Sequence, residues 1–258
     1  MILLLDVGNT RLKWAWLENG HAGAARAVQH HGAPAAWQSE LETWQSELEA
    51  EGRSPDRIMV ANVAGGSFAR LLGGWTKARF GFWPEFVTAV RSACGVTNAY
   101  ARPAVLGVDR WLGMIAARHA GESPACIVNA GTAVTVDALA GDGQHLGGFI
   151  LPGLQLMQEA LYARTGNVQA AAAAESAQTN GLFGINTAAA VEQGIPLAIA
   201  ALADRAFAEL ARRTHQTPRI LLTGGDAERL RPELAHPAEI VPDLVLAGLA
   251  VFAGEART

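Results

Sequence analysis

The sequence predicts an α/β protein built from two similar halves. An unbroken apolar run, Ile2–Leu5, ends at the turn DVGNT of residues 6–10. A short apolar run of this kind is typical of a strand buried on both faces at the centre of a sheet, and ligands bind at the carboxyl ends of such strands. The same arrangement returns 123 residues later, where Cys126–Val128 leads into the turn NAGTA of residues 129–133. This repeat indicates a duplicated domain.

The first half is expected to begin with strands and to continue with alternating helices and strands. Residues 11–17 alternate between apolar and polar side chains, which predicts a strand that returns antiparallel to the first. The other elements expected here are a strand at Ala25–Val28, a helix at Ala35–Glu49, a strand at Ile58–Val63, a helix at Phe68–Ala78, a short strand at Phe86–Val90 and a helix with Asp109 and Arg110 in its first turn. Three strands in a meander, followed by alternating helix and strand, are the pattern of a ribonuclease-H-like domain.

The second half is expected to begin at the Gly- and Pro-containing stretch 121–124, which divides the chain into residues 1–120 and 121–258. Its expected elements are strands at Cys126–Val128, Val134–Leu139, Gly148–Leu151, Ile220–Leu222 and Glu239–Val241, and helices at Gly153–Tyr162, Asn186–Arg213 and Leu244–Ala253. Pro196 predicts a kink or break in the long helix after Gly194. Residues 167–179, rich in Ala and polar side chains, predict a mobile surface segment, although the alanines alone would also permit a helix.

Composition excludes several classes of protein. The 258 residues carry a net charge of −4, and the longest basic run is the pair Arg212-Arg213, which argues against non-specific nucleic-acid binding. We expect no membrane span, because no long apolar stretch is free of Gly, Pro and charge, and no signal peptide. Cys94 and Cys126 lack metal-ligand spacing, so we expect both to be packing residues of a reduced, cytoplasmic protein.

The turn after the first strand is the first candidate site. It combines the carboxylate of Asp6 with Gly8, which permits close backbone approach, the polar side chains of Asn9 and Thr10, and the ammonium of Lys13. This mixture suits a phosphate bound to a metal ion. Two such turns facing each other across a cleft would hold a polyphosphate between them.

Two further stretches are candidates. Asp109 and Arg110 lie in the first turn of a predicted helix, where the helix dipole keeps a carboxylate ionised. The alternative is an ordinary helix-start acid paired with its neighbour. The sequence Thr223-Gly224-Gly225-Asp226 places a glycine pair between a strand and a helix, where backbone can approach a flat or phosphorylated ligand, although such turns are common.

Together these motifs resemble the type III pantothenate kinases, which belong to the superfamily of sugar kinases, Hsp70 and actin. The motifs are DVGNT at Asp6, GVDRW at Gly107, NAGTAVTVD at Asn129, TGGDA at Thr223 and LVLAGL at Leu244. The resemblance spans essentially the whole chain. It implies two ribonuclease-H-like domains with a nucleotide cleft between them, a homodimer, and ATP-dependent phosphorylation of pantothenate as the first step of coenzyme A synthesis.

The resemblance also assigns roles to residues. Asp109 occupies the position of the general base, and Asp6 that of the acid that organises Mg²⁺ through water. The residues matching ATP contacts are Asp6, Val7, Gly8, Asn9, Thr10, Arg11, Leu12, Lys13, Gly131, Thr132, Gly224 and Gly225. Those matching pantothenate contacts are Tyr100, Gly107, Val108, Asp109, Arg110 and, near the dimer interface, Thr187.

Asn129 departs from the family pattern. Most members have Asp here, as ligand of an activating K⁺ or NH₄⁺, and an amide oxygen offers coordination without charge. We therefore expect weaker activation by a monovalent cation. Two alternative functions stay open from the sequence: a kinase or hydrolase of the same superfamily acting on another small alcohol or on water, and a nucleotide-binding regulatory protein of the same fold.

Overall fold

A computed structural model describes residues 1–29 and 37–255, with side chains of the first helix described from residue 41 onward. The chain forms two compact units. The first unit contains Met1–Glu122, Asp142–His145 and the described residues from Asp243 onward. The second contains Ser123–Gly141 and Leu146–Pro242.

The elements alternate between strand and helix along much of the chain. The strands are β1 (Ile2–Val7), β2 (Arg11–Glu18), β3 (His21–Ala22), β4 (Arg26–Gln29), β5 (Arg57–Asn62), β6 (Glu85–Phe86), β7 (Ser92–Ala93), β8 (Val96–Thr97), β9 (Ala125–Ala130), β10 (Ala133–Leu139), β11 (His145–Pro152), β12 (Thr179–Asn180), β13 (Phe183–Gly184), β14 (Arg219–Thr223) and β15 (Ala238–Ile240). The helices are α1 (Trp37–Ala50), α2 (Gly66–Phe80), α3 (Val108–His119), α4 (Leu154–Arg164), α5 (Gly166–Ala174), α6 (Thr187–Thr214), α7 (Ala227–Leu230) and α8 (Leu244–Glu255).

The two main sheets have the same topology. The first has the order β3-β2-β1-β5-β6, with β4 also beside β2, and the second has the order β11-β10-β9-β14-β15. In each, the central strand pairs antiparallel with the next strand of the chain, and parallel with a later one. The predicted α/β duplication of a ribonuclease-H-like domain is therefore confirmed.

The first sheet is centred on the opening apolar run. Every residue of Ile2–Leu5 is at most 3% exposed, as expected for a strand covered on both faces. Trp14 on β2 and Trp44 on α1 are both buried and meet edge to face with ring centroids 6.3 Å apart. Residues 35 and 36 of the expected first helix lie outside the described residues. The buried run fixes the position of the turn that follows it.

Helix α8 departs from the sequence-based division of the chain after residue 120. It was expected to complete the second half, but it belongs to the first unit, where it packs on α3. The contact is very close, because a Cβ added at Gly248 would lie 1.9 Å from the carbonyl oxygen of Leu112. Since α8 is apolar on nearly all sides, only a surface that surrounds it can bury it. Residues Asp142–His145, which comprise the end of the β10–β11 loop and the first residue of β11, belong to the first unit as well.

The structure decides two local expectations. Part of the expected mobile segment forms helix α5, Gly166–Ala174, because alanine has the highest helix propensity and five occur in succession. Of the kink or break expected after Gly194, the break is absent, because helix α6 continues through Pro196. A proline inside a helix removes one backbone hydrogen bond, and the buried face of α6 offsets that loss.

Candidate active site

The turn between β1 and β2 is narrow. The N–H of Gly8 donates to the carbonyl of Arg11 over 3.0 Å, and a Cβ on Gly8 would lie 3.3 Å from that oxygen. The antiparallel register places Asp6 directly opposite Lys13. Asn9 and Thr10 are exposed at the tip. The turn therefore presents backbone, a carboxylate and an ammonium from two adjacent strands.

The Asp6 carboxylate is half-buried, and among the described residues it receives no hydrogen bond. Its pKa is raised to about 7, chiefly by burial; the nearby Lys13 ammonium lowers the pKa, and the carboxylates of Asp109 and Asp243 raise it. These four side chains therefore share one electrostatic environment. The Asp6 carboxylate therefore has too little positive charge and too few hydrogen-bond donors around it. A bound cation would supply the missing positive charge.

Asp243 is a site residue that sequence reasoning missed. Lys13 Nζ donates to Asp243 Oδ1 at 2.8 Å, with side-chain exposures of 25% and 34%. Asp243 immediately precedes α8, and its own carbonyl accepts the N–H of Ala247 at 3.0 Å. The sequence gives only a weak signal, a helix-start acid, because the partner lies 230 residues away.

The Asp109 carboxylate is fixed at the start of α3. Its Oδ1 accepts the N–H of Arg110 at 2.9 Å. The side chain folds back over Gly107, where an added Cβ would be 2.6 Å from Oδ1. The prediction that Asp109 lies in the first turn of a helix is confirmed. A negative charge at this end of a helix interacts favourably with the helix dipole.

Arg110 is buried, with 6% of its surface exposed, and bound to Tyr100. Its Nη1 donates to the Tyr100 hydroxyl at 3.0 Å, and the guanidinium lies 5.7 Å from the centre of the Tyr100 ring. The Tyr100 N–H in turn donates to the side-chain oxygen of buried Asn98 at 2.9 Å. Tyr100 and Arg110, both predicted site residues, are therefore brought together in a fixed arrangement.

His145 is a second residue that sequence reasoning missed. It is fully buried, its ring is stacked on Tyr100 with centroids 6.1 Å apart, and its Nδ1 accepts the N–H of Ala99 at 3.5 Å. The loop that precedes it is held by the N–H of Thr97, which donates to the Gly143 carbonyl at 2.9 Å. A histidine at the start of a strand, directly after a hairpin loop, gave no sequence signal for this contact.

The second glycine turn, in the second unit, joins β9 to β10. The N–H of Gly131 donates to the carbonyl of Ala133 at 3.2 Å, which parallels the bond made by Gly8. Gly153, just before α4, donates to the Thr132 carbonyl at 2.9 Å, and a Cβ there would lie 2.2 Å from the Gly131 oxygen. The turn is thus supported from behind by the start of α4.

The Gly224-Gly225 turn contacts the same part of the second unit. Gly224 has a φ of +99°, and a Cβ on it would lie 2.3 Å from the Ala130 oxygen and 2.8 Å from Asn129 Oδ1. The N–H of Asp226 donates to the Ala130 carbonyl at 3.0 Å. The structure therefore brings Asn129, Gly131, Thr132 and the glycine pair together, as parallel pairing of β9 with β14 requires.

Thr187 also lies in the second unit. It is the first residue of α6 and follows Asn186, whose side chain accepts the N–H of Ala189 at 3.0 Å. With Ile185, Leu161 and Val191 it lines an open pocket of about 690 Å³. The pocket is mainly apolar.

Comparison with known proteins identifies the family. A sequence model described as type III pantothenate kinase matches residues 2–209. A type III pantothenate kinase of Nitrosococcus oceani is 37% identical over 97% of this chain and 92% of its own length. One from an Azoarcus species is 40% identical over 98% of this chain and 90% of its own. The chain belongs to the type III pantothenate kinase family.

A solved structure supports the fold assignment. The activator of 2-hydroxyisocaproyl-CoA dehydratase from Clostridium difficile, solved with bound ADPNP, has a TM-score of 0.54 and 12% identity, covering 99% of this chain and 94% of that one. At this identity the likeness concerns the fold alone. It agrees with the duplicated topology of the two sheets.

A kinase of this family uses ATP with a divalent metal ion, and the Asp6 region fits such an ion. Its carboxylate is half-buried without a hydrogen bond among the described residues, and its pKa is raised. No group of three or more His, Cys, Asp or Glu side chains able to hold a metal is found in residues 1–29 and 37–255. One carboxylate, completed by water and substrate phosphates, is the usual Mg²⁺ arrangement in kinases.

No helix within residues 1–29 and 37–255 is long and apolar enough to cross a membrane.

Proposed function

We infer that this protein phosphorylates pantothenate with ATP, in the first step of coenzyme A synthesis. The observation that carries the inference is membership of the type III pantothenate kinase family over nearly the full chain. The geometry around Asp109 agrees with it, because a carboxylate held at a helix start lies beside a buried arginine.

Asp109 is proposed to accept the proton of the primary alcohol of pantothenate. In a loose phosphoryl-transfer transition state the proton leaves late, so a strong base is not required and a well-oriented carboxylate suffices. Orientation comes from the Arg110 N–H and from the space left by Gly107. Arg110, held by Tyr100, would bind the pantothenate carboxylate or the transferring phosphoryl group. Gly107 and Val108 would line the same substrate segment.

The first turn is proposed to bind the triphosphate. When bound, Mg²⁺ neutralises phosphate charge and orients the γ-phosphoryl group. Asp6 would hold that ion through water, and Lys13 would contact phosphate oxygens directly. The backbone from Val7 to Leu12 would follow the phosphate chain, since Gly8 permits close approach and Asn9, Thr10 and Arg11 project from its exposed end.

The second turn is proposed to complete ATP binding through Gly131 and Thr132, with Gly224 and Gly225 at the nucleotide end. Asn129 would be the ligand of any monovalent cation, K⁺ or NH₄⁺. Its side-chain oxygen lies near Gly131 and Gly224, which are both in the second unit, but this oxygen carries no charge. We therefore propose weak activation by such ions.

We propose that the protein acts as a homodimer through the second unit. Several large apolar residues there are between 49% and 73% exposed: Phe149, Ile150, Leu182, Phe183 and Ile185. A soluble chain rarely leaves so many uncovered, and a second copy would bury them. Thr187, two residues from Ile185, would then contact pantothenate beside the interface. Light scattering of Phe183→Glu should give the mass of one chain, whereas Val90→Glu in the first unit should not change the wild-type mass.

Pantothenate-dependent ADP formation tests the proposed function. The assay compares pantothenate with other small alcohols and with no acceptor, and mass spectrometry identifies the product. ADP formed only with pantothenate, together with a phosphorylated product, supports the proposal. ADP formed equally without acceptor indicates a hydrolase, and preference for another alcohol indicates a different kinase. Nucleotide binding without turnover indicates a regulatory protein.

A further inference from the structure

We propose that Asp243 is a positioning residue of the phosphate-binding turn, which holds the Lys13 ammonium in place for ATP and away from Asp6. The proposal rests on the function inferred above and adds a residue from the far end of the chain to its nucleotide site. The hydrogen bond of 2.8 Å between Lys13 Nζ and Asp243 Oδ1 is the observation that carries it.

Two carboxylates, those of Asp6 and Asp243, are candidate partners of the Lys13 ammonium. Asp6 lies directly opposite it in the β1–β2 register, and the charges of both residues affect one another. Nevertheless the ammonium is bonded to Asp243, and the described residues include no hydrogen bond to the Asp6 carboxylate. If Lys13 turned to Asp6 instead, it would occupy the oxygens that organise the metal's water. Asp243 therefore keeps the roles of Lys13 and Asp6 separate.

Asp243 is itself held firmly by the backbone. Its φ is +55°, in the left-handed region, and its carbonyl accepts the first hydrogen bond of α8 from Ala247. Helix α8 packs closely on α3 at Gly248, where there is no room for a Cβ beside Leu112. A carboxylate on such an anchor restricts a long, flexible lysine side chain, which otherwise loses considerable entropy when it binds.

The pairing leaves Lys13 able to bind phosphate. An ammonium has three N–H donors, and Asp243 Oδ1 accepts one. The remaining donors are available to phosphate oxygens, with the ammonium already placed near the turn. The exposures of 25% and 34% show that the pair is reachable from solvent.

Asp243→Asn is the sharpest test, because asparagine also tolerates the left-handed conformation and preserves the shape of the side chain. We expect about tenfold weaker binding of ATP with Mg²⁺, the usual scale for one hydrogen bond to a charged group. The measurements are calorimetric titration without pantothenate and the KM for ATP. The KM for pantothenate should change less than twofold.

The matched control is Glu85→Gln. It also removes the acidic partner of a cation in the first unit, because Glu85 receives two hydrogen bonds from Arg57, at 2.6 and 2.7 Å. This control should leave ATP affinity unchanged. If Asp243→Asn behaves like Glu85→Gln, or weakens ATP and pantothenate equally, the proposal is wrong.

A double-mutant cycle with Lys13→Met tests whether Asp243 acts through Lys13. Once Lys13 is removed, Asp243→Asn should cause little further loss of ATP affinity, so the two effects should be strongly non-additive. Full additivity overturns the proposal. Because the titration needs no pantothenate, it also separates this proposal from the function: wild-type protein that binds ATP but does not phosphorylate pantothenate refutes the proposed function alone.

Discussion

The Asp109 carboxylate lies directly over Gly107, and a Cβ on that glycine would be 2.6 Å from Asp109 Oδ1. Gly107 has a φ of −54° and ψ of 132°, a backbone conformation that alanine adopts without strain. Glycine is therefore required here by the neighbouring side chain and not by the backbone. A methyl group at this position would displace the carboxylate while leaving the start of α3 intact.

Gly107→Ala should lower kcat for pantothenate phosphorylation by about 10-fold, because a slight misplacement of a catalytic group has effects of this size or larger. The melting temperature should change little, since only a side-chain terminus has to move. Coupled measurement of ADP release and a thermal melt provide the two values. An unchanged kcat would show that the position of the carboxylate is unimportant.

Asp109→Asn should reduce kcat by at least about 100-fold, the usual scale for a positioned acid or base. Calorimetry should show ATP binding largely retained, because Asp109 is not among the residues proposed to bind phosphate. In the double variant, Gly107→Ala should add nothing to the loss caused by Asp109→Asn, since both act through one carboxylate. Near-normal turnover of Asp109→Asn would remove this residue from the mechanism.

The stability of the metal-free protein should depend on Asp6 and pH. Burial raises the pKa of Asp6 from 3.8 to about 7, so the folded state binds a proton that the unfolded state has lost. The stabilising contribution is complete below about pH 4 and is lost as the pH rises through 7. Asp6→Asn should remove this dependence and be more stable than wild type at pH 8, by about 1 to 4 kcal/mol after allowing for solvent screening.

Urea unfolding in EDTA at several pH values between 4 and 8 measures this difference. The comparison of wild type with Asp6→Asn isolates Asp6, because all other titrating groups are shared. A free-energy difference independent of pH would contradict the assigned pKa.

Asn129→Asp should increase activation by K⁺. The side-chain oxygen of Asn129 lies beside Gly224 and Gly131, and a carboxylate there would add the charge that the present amide lacks. Initial rates in KCl, compared with NaCl at equal ionic strength, should rise more steeply for the variant than for wild type. A strict K⁺ requirement in wild type would contradict the role given to Asn129.

Site features that depend on neighbouring residues could be predicted from the sequence, whereas contacts between residues distant in sequence could not. The turn at Asp6 and the helix start at Asp109 were predictable, because strand ends, turns and helix caps are set by neighbouring residues. Asp243 and His145 were not, since each meets a partner far away in sequence: Lys13, 230 positions from Asp243, and Tyr100.

The position of α8 was also not predicted, because it depends on contacts with residues distant in sequence. The apolar composition of α8 predicts a buried helix but does not identify the surface that buries it. That surface depends on Gly248, which allows close contact with Leu112, a residue distant in sequence. Helix α5 was missed for the opposite reason. There the local signal, a run of alanines, was correct, and the interpretation gave too much weight to the polar residues around it.

Gly224→Ala should weaken ATP binding and destabilise the protein by about 1 to 3 kcal/mol, the cost of a strained backbone position. Two observations lead to this result: the φ of +99° is unfavourable for alanine, and its Cβ would lie 2.3 Å from the backbone oxygen of Ala130, which cannot easily move. Gly74→Ala is the control, since Gly74 lies inside α2 with open space around it and should gain about 0.5 to 1 kcal/mol. Denaturant unfolding and ATP titration of both variants measure the effects. Equal stability of the two variants would mean that the turn at Gly224 adapts freely, and it would then be a poor candidate for a fixed nucleotide contact.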